Sequence, residues 1–132
     1  MSSVFSSAIS GMNAAIARLS NAATNIANVS STGKLPATPD GKATSFEPKD
    51  IVNITTTTGE VTTTSVPRTP AYHPMYSPNS PDANADGLVA APNIALESEI
   101  VDSLMAKTAY QANAKIIAVE KEKQETLLDT LA

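Results

Sequence analysis

The sequence contains no cysteine and no tryptophan. The first absence excludes disulfides, thiol catalysis and cysteine-based metal sites, and it leaves the redox compartment undetermined. Only two Phe and three Tyr supply large aromatic surface, so a core has to be built from Ala, Ile, Leu, Val and Met. Basic clusters are also missing. At a formal net charge of −4, no concentration of Lys and Arg is available for phosphate contacts, which argues against nucleic acid or an anionic membrane as the main partner. No apolar run is long enough to span a bilayer, and direct membrane insertion is not expected. The first basic residue is Arg18, and Ser, Asn and Ala interrupt everything before it. A cleaved secretory signal is therefore not expected. Catalytic constellations are absent too. His73 stands alone beside Pro74, the carboxylates form no evident pair, and the Ser and Thr have no histidine base. The chain is read as a non-enzyme with no catalytic, cofactor or metal residues. The competing enzyme reading, a hydrolase with an unrecognised site, requires a formed pocket holding perturbed carboxylates.

What is present falls into three parts. All nine prolines lie between Pro36 and Pro92, so two helix-compatible ends bracket a helix-incompatible middle. The expected segments are 1–33, an N-terminal amphipathic helix, 34–91, a Pro- and Thr-rich middle, and 92–132, a C-terminal helix. The expected fold class is mainly α with a small β region, the long N- and C-terminal helices packed as a coiled coil and bracketing a short β-hairpin and extended loop domain.

In the first segment, Phe5, Ile9, Met12, Ile16, Leu19, Ala23 and Ile26 recur at alternating steps of four and three. That heptad spacing suits a partner helix. The remaining positions are mostly Ser, Thr, Asn, Ala and Gly, with Arg18 the only charge before Lys34. Small neutral side chains permit close backbone approach, as expected of a helix enclosed by protein. Gly33 offers a stop.

In the last segment Asn93 is placed to cap a helix, with Glu97, Glu99 and Asp102 near the positive end of its dipole. Apolar positions follow at Ile100, Val101, Leu104, Met105, Ala109, Ala112, Ile116 and Val119, returning at Leu127 and Leu131. Between them Glu120 to Glu125, EKEKQE, is charged on every side and should face water. Neither stripe alone offsets the entropy of ordering its helix, so the isolated chain is expected to have partly disordered ends that fold on assembly.

The middle holds two Thr-, Val- and Ile-rich runs, Ile51 to Thr57 and Val61 to Val66, around Thr58-Gly59-Glu60. They predict a hairpin, with Phe46, Tyr72 and Tyr76 as candidate anchors. Asp82 to Gly87 matches the opening of a calcium loop, but position twelve is Asn93 instead of a bidentate Glu, and Pro78 and Pro81 bar the entering helix. An Asx-rich turn leading into the last helix is the preferred reading. A secreted helical adaptor or calcium-responsive binding module remains as the alternative from the binding class, and it predicts a well-folded soluble monomer.

Several of these residues also carry a resemblance. Ala8-Ile9-Ser10-Gly11-Met12, Asn25-Ile26-Ala27-Asn28-Val29 and Thr32-Gly33 resemble the N-terminal signature of flagellar rod, hook and hook-associated proteins. Ala109-Tyr110-Gln111-Ala112-Asn113 resembles the matching C-terminal one, and the run from Tyr76 to Asn93 is similar to a segment typical of proximal rod proteins. A FlgB-like rod subunit is the runner-up within the family, against which Pro78 to Asn93 discriminates. The resemblance implies a structural subunit of the bacterial flagellar basal body. Its terminal helices would line a hollow rod that crosses the periplasm, transmits torque and lets export substrates pass. Implied partners are copies of the chain, FlgB-, FlgF- and FlgG-type rod proteins, the adaptor FliE, the MS ring and the flagellar type III export apparatus. Implied packing residues are Phe5, Ile9, Met12, Ile16, Leu19, Asn25, Ile26, Asn28, Val101, Leu104, Tyr110, Gln111, Asn113, Ile116 and Val119.

Overall fold

A computed structural model describes residues 2–37 and 41–131. Residues 38–40, within the middle segment, lie outside it. Two long helices, α1 (Ser2–Ala27) and α2 (Leu96–Leu131), flank four strands: β1 (Lys49–Thr55), β2 (Val61–Pro67), β3 (Tyr72–Tyr76) and β4 (Leu88–Pro92). The strands form two separate antiparallel pairs, β1 with β2 and β3 with β4. The mainly helical class with a small β region is the observed one. No described helix is long and apolar enough to cross a membrane.

The expected hairpin forms, in the register Asp50↔Val66 to Thr55↔Val61. Its turn closes with Thr56 N–H donating to Glu60 O at 2.8 Å, and Gly59 takes a φ of 83° that a side chain would resist. The hairpin lies along α1. Ser10 Oγ accepts from Val61 N–H at 3.0 Å, Asn21 Nδ2 donates to Lys49 O at 2.7 Å, and the Ser6 hydroxyl reaches the Glu60 carboxylate. Polar α1 residues on that side thus satisfy backbone groups at the sheet edge.

The second sheet was not expected from the sequence. β4 is the most buried strand, with Val89, Ala90, Ala91 and Pro92 all buried, and its residues are too small to give a strong alternation signal. Its partner β3 contains Pro74, which is tolerated because the ribbon has only two strands. The Asp82–Gly87 run turns the chain into β4, not directly into a helix. Asn84 Oδ1 accepts from Asp86 N–H and Leu88 N–H, both at 2.9 Å, an Asx turn. Of the candidate anchors, Phe46 and Tyr72 are half-buried, while Tyr76 is exposed.

Two further expectations are corrected at the helix ends. Gly33 does not stop α1, which ends six residues earlier; it exchanges both backbone hydrogen bonds with Ala90, at 3.0 and 2.8 Å. A Cβ there would run into the Ser45 backbone, so the close approach requires glycine. Asn93 does not cap α2. Its N–H donates to Ala71 O and its Nδ2 to Pro70 O, and α2 starts three residues later, with Ala95 O accepting its first bond from Glu99 N–H.

Candidate assembly surface

α1 and α2 run antiparallel. Asn25 meets Glu99 at one end, Gly11 meets Asn113 midway, and Ser3, Val4 and Ala8 lie beside Asn113 and Ile116 at the other. The helices touch through small and polar side chains. On α1 the buried seam is Ala8, Gly11, Ala15, Arg18, Ala22 and Asn25, of which Ala8, Ala15, Ala22 and Asn25 are fully buried. Each member sits one residue before a member of the apolar stripe, so the seam has the same spacing and a face turned by a quarter of the helix. On α2 the facing residues are Glu99, Ser103, Ala106, Asn113, Ile117 and Glu120, with the exposed Tyr110 at the edge of the seam completing the steps of four and three. Small residues let the axes approach closely. A Cβ on Gly11 would come within 2.8 Å of the Asn113 amide, which is itself fixed by donating to Ala109 O at 2.9 Å.

The apolar stripes therefore remain on the outside of the helix pair. Ile9, Ile16 and Leu19 are exposed, Phe5, Met12 and Ile26 are half-buried, and Val101, Leu104, Tyr110, Gln111, Ile116 and Val119 are exposed. Ala15 is 4% exposed and its neighbour Ile16 51%. Scattered exposed apolar residues are ordinary, but the regular stripe on α1 beside the many exposed apolar residues of α2 makes this the candidate interaction surface. On the flank away from the hairpin, Ile16 and Leu19 join Lys107, Tyr110 and Gln111 around a shallow groove of about 430 Å³.

At the hairpin end, a polar node ties the helix pair to the β region. Arg68, on the residue after β2, donates from Nε and Nη2 to Asp50 at 3.1 and 2.5 Å, from Nη2 to Glu99 Oε1 at 2.9 Å, and from Nη1 to Asn93 O at 3.0 Å. Asn25 Nδ2 donates to Glu99 Oε2 at 3.2 Å and to Lys49 O at 3.0 Å. The Asp50 hydrogen bond raises the Arg68 pKa further above its usual value, outweighing the opposing effect of burial. Glu99 is 1% exposed. A carboxylate so placed needs both partners, since an unpaired buried charge is costly. The sequence placed Glu99 only on the helix dipole and passed over Arg68; nothing in local spacing links residues this far apart in the chain. Asn28 of the same signature is half-buried and donates to Thr24 O of its own helix.

The EKEKQE run is not uniformly solvated. Glu120 is buried at the end of the seam, with Lys123 Nζ at 3.8 Å, while Lys121 and Glu125 pair at 3.6 Å in the open. Among the described residues no group of three His, Cys, Asp or Glu side chains converges on a metal-sized site.

No protein-family model matches the chain. Among curated proteins, the flagellar basal-body rod protein FlgC of Salmonella typhimurium is 34% identical over 125 residues, covering 89% of this chain and 88% of that protein. The protein of the same name from Escherichia coli O6:H1 is 33% identical over the same shares. That from Aquifex aeolicus is 38% identical over 53 residues, 40% of each chain.

Proposed function

The chain belongs to the flagellar basal-body rod protein family, close to FlgC, and from that premise we propose that it is a proximal rod subunit whose exposed stripes pack against neighbours in the rod. As a rod protein it is a structural component of the basal body that assembles with other rod components. In the proposed assembly both terminal helices enter an inner coiled-coil layer around a hollow shaft, and the β region touches adjacent subunits. The shaft transmits torque and passes later export substrates, the chain itself having been exported unfolded through the flagellar type III apparatus. Its neighbours are copies of itself, FlgB-, FlgF- and FlgG-type rod proteins, and FliE and the MS ring at the base. The observation that carries this reading is the exposure of Ile9, Ile16 and Leu19 on a helix almost without charge. Burial of such a surface against a partner is favourable.

Cryo-EM of isolated basal bodies is expected to show the chain in the rod with α1 and α2 innermost; density placing its helices on an outer surface would overturn the arrangement. Disorder in the free chain is proposed to be confined to turns without an intrachain partner, chiefly residues 121–131. Helical signal in far-UV circular dichroism is then expected to rise on assembly. A dilute monomer already at full helicity would contradict it.

A further inference from the structure

The seam of α2 continues beyond its partner. Asn113, Ile117 and Glu120 face the beginning of α1, and the same three-and-four spacing runs on without a break into Gln124, Leu127 and Leu131. From the Gly11–Asn113 contact α1 has nine residues left to its described start at Ser2, while α2 has eighteen left to Leu131, so the last turns of α2 have no described α1 residue opposite them. Residues 121–131 project by roughly 16 Å at the helical rise per residue, and Leu127, Leu128 and Leu131 are 48%, 68% and 84% exposed. The character of the seam also changes. Where α1 is present it is mainly small or polar, matched to alanines; beyond that it is leucine, which fits a recess between larger side chains.

Such a recess is the groove between Ile16, Leu19 and Tyr110. A straight helix cannot bend back onto its own flank, so a tip that enters the groove has to come from another molecule. Charge favours a second copy. Glu122, Glu125 and Asp129 are spaced three and four apart along one side of the tip, and neither Glu122 nor Asp129 has an ion pair among the described residues. Lys107 is the single ionic side chain lining the groove and is likewise without an ion pair there, while α1 contains no acidic residue to repel the tip. Apolar contact flanked by opposite charges is the pattern that fixes partner and register in helix pairs.

We propose that the C-terminal tip of α2 in one copy lies in the α1/α2 groove of a second copy, a head-to-tail contact that rests on the rod reading and specifies one of its interfaces. Because the natural chain has no cysteine, the contact is tested by the paired substitutions Leu128→Cys and Gln111→Cys in the full chain. Mild oxidation is applied to isolated basal bodies and to the purified chain at high concentration. A ladder of cross-linked copies is expected, with peptide mapping joining the two introduced thiols across molecules and neither single variant producing it. Adding Lys107→Glu should lower the yield roughly tenfold, and further adding Asp129→Lys should restore it. Absence of the ladder from basal bodies that contain the chain, linkage to a different rod protein, or failure of the charge exchange to restore the yield would each overturn the contact. If the chain is present in basal bodies without the ladder, the tip contact fails and the rod reading stands. A ladder in solution from a chain absent from basal bodies gives the converse.

Discussion

Replacing Arg68 by Ala is expected to destabilise the chain by about 3–5 kcal/mol, the range for removing one partner of a buried ion pair. The cost falls on Glu99. Asp50 is partly exposed and can be hydrated, but Glu99 is closed off and would keep only the Asn25 amide. The same substitution frees Asn93 O and loosens the junction between β2, the start of α2 and the far end of α1. Urea denaturation at neutral pH measures the loss as a shift in midpoint. Adding Glu99→Gln to Arg68→Ala should recover part of it, because a neutral amide tolerates burial better than an unpaired carboxylate. A change below about 1 kcal/mol in the single variant would mean that the node does not hold the two regions together.

Ile16→Asp is expected to abolish swimming and to leave the chain out of basal bodies while the free protein keeps its stability within about 0.5 kcal/mol, as is usual at an exposed site. The separation follows from position. Ile16 is half open to solvent in the single chain, where an aspartate is readily hydrated, but in the assembled rod it would bury an unpaired charge at a cost of several kcal/mol. Ala15→Asp provides the contrast. One residue away, it enters the closed seam against Ala106 and should unfold the helix pair itself. Motility assays, basal-body immunoblots and thermal melts of the two variants distinguish these outcomes. Normal swimming by the Ile16 variant would remove the stripe from the assembly.

Much of the architecture was legible because it is encoded locally. Proline confinement marked the helix-free middle, and the Thr- and Val-rich runs around Gly59 predicted β1 and β2 to within two residues at each end. Motifs at the two ends pointed to the rod family, which the relatives then showed. The β3–β4 ribbon was not legible, because Val89, Ala90 and Ala91 are small and their burial depends on Gly33, far earlier in the chain. Asn93 has a capping residue's chemistry, but Pro70 and Ala71 claim its hydrogen bonds first.

By itself the sequence determined that both ends are helical and that the first carries a heptad-spaced apolar stripe among small neutral residues, since these follow from side-chain type and helical period alone. Only the tertiary structure decided which face each helix gives to the other. Ala, Gly and Asn allow the two backbones to approach where Ile and Leu would hold them apart, so the small face closes the intrachain seam and the large apolar face stays open for a neighbour. That choice depends on both helices at once, and on an Arg68–Glu99–Asn25 node assembled from three distant parts of the chain.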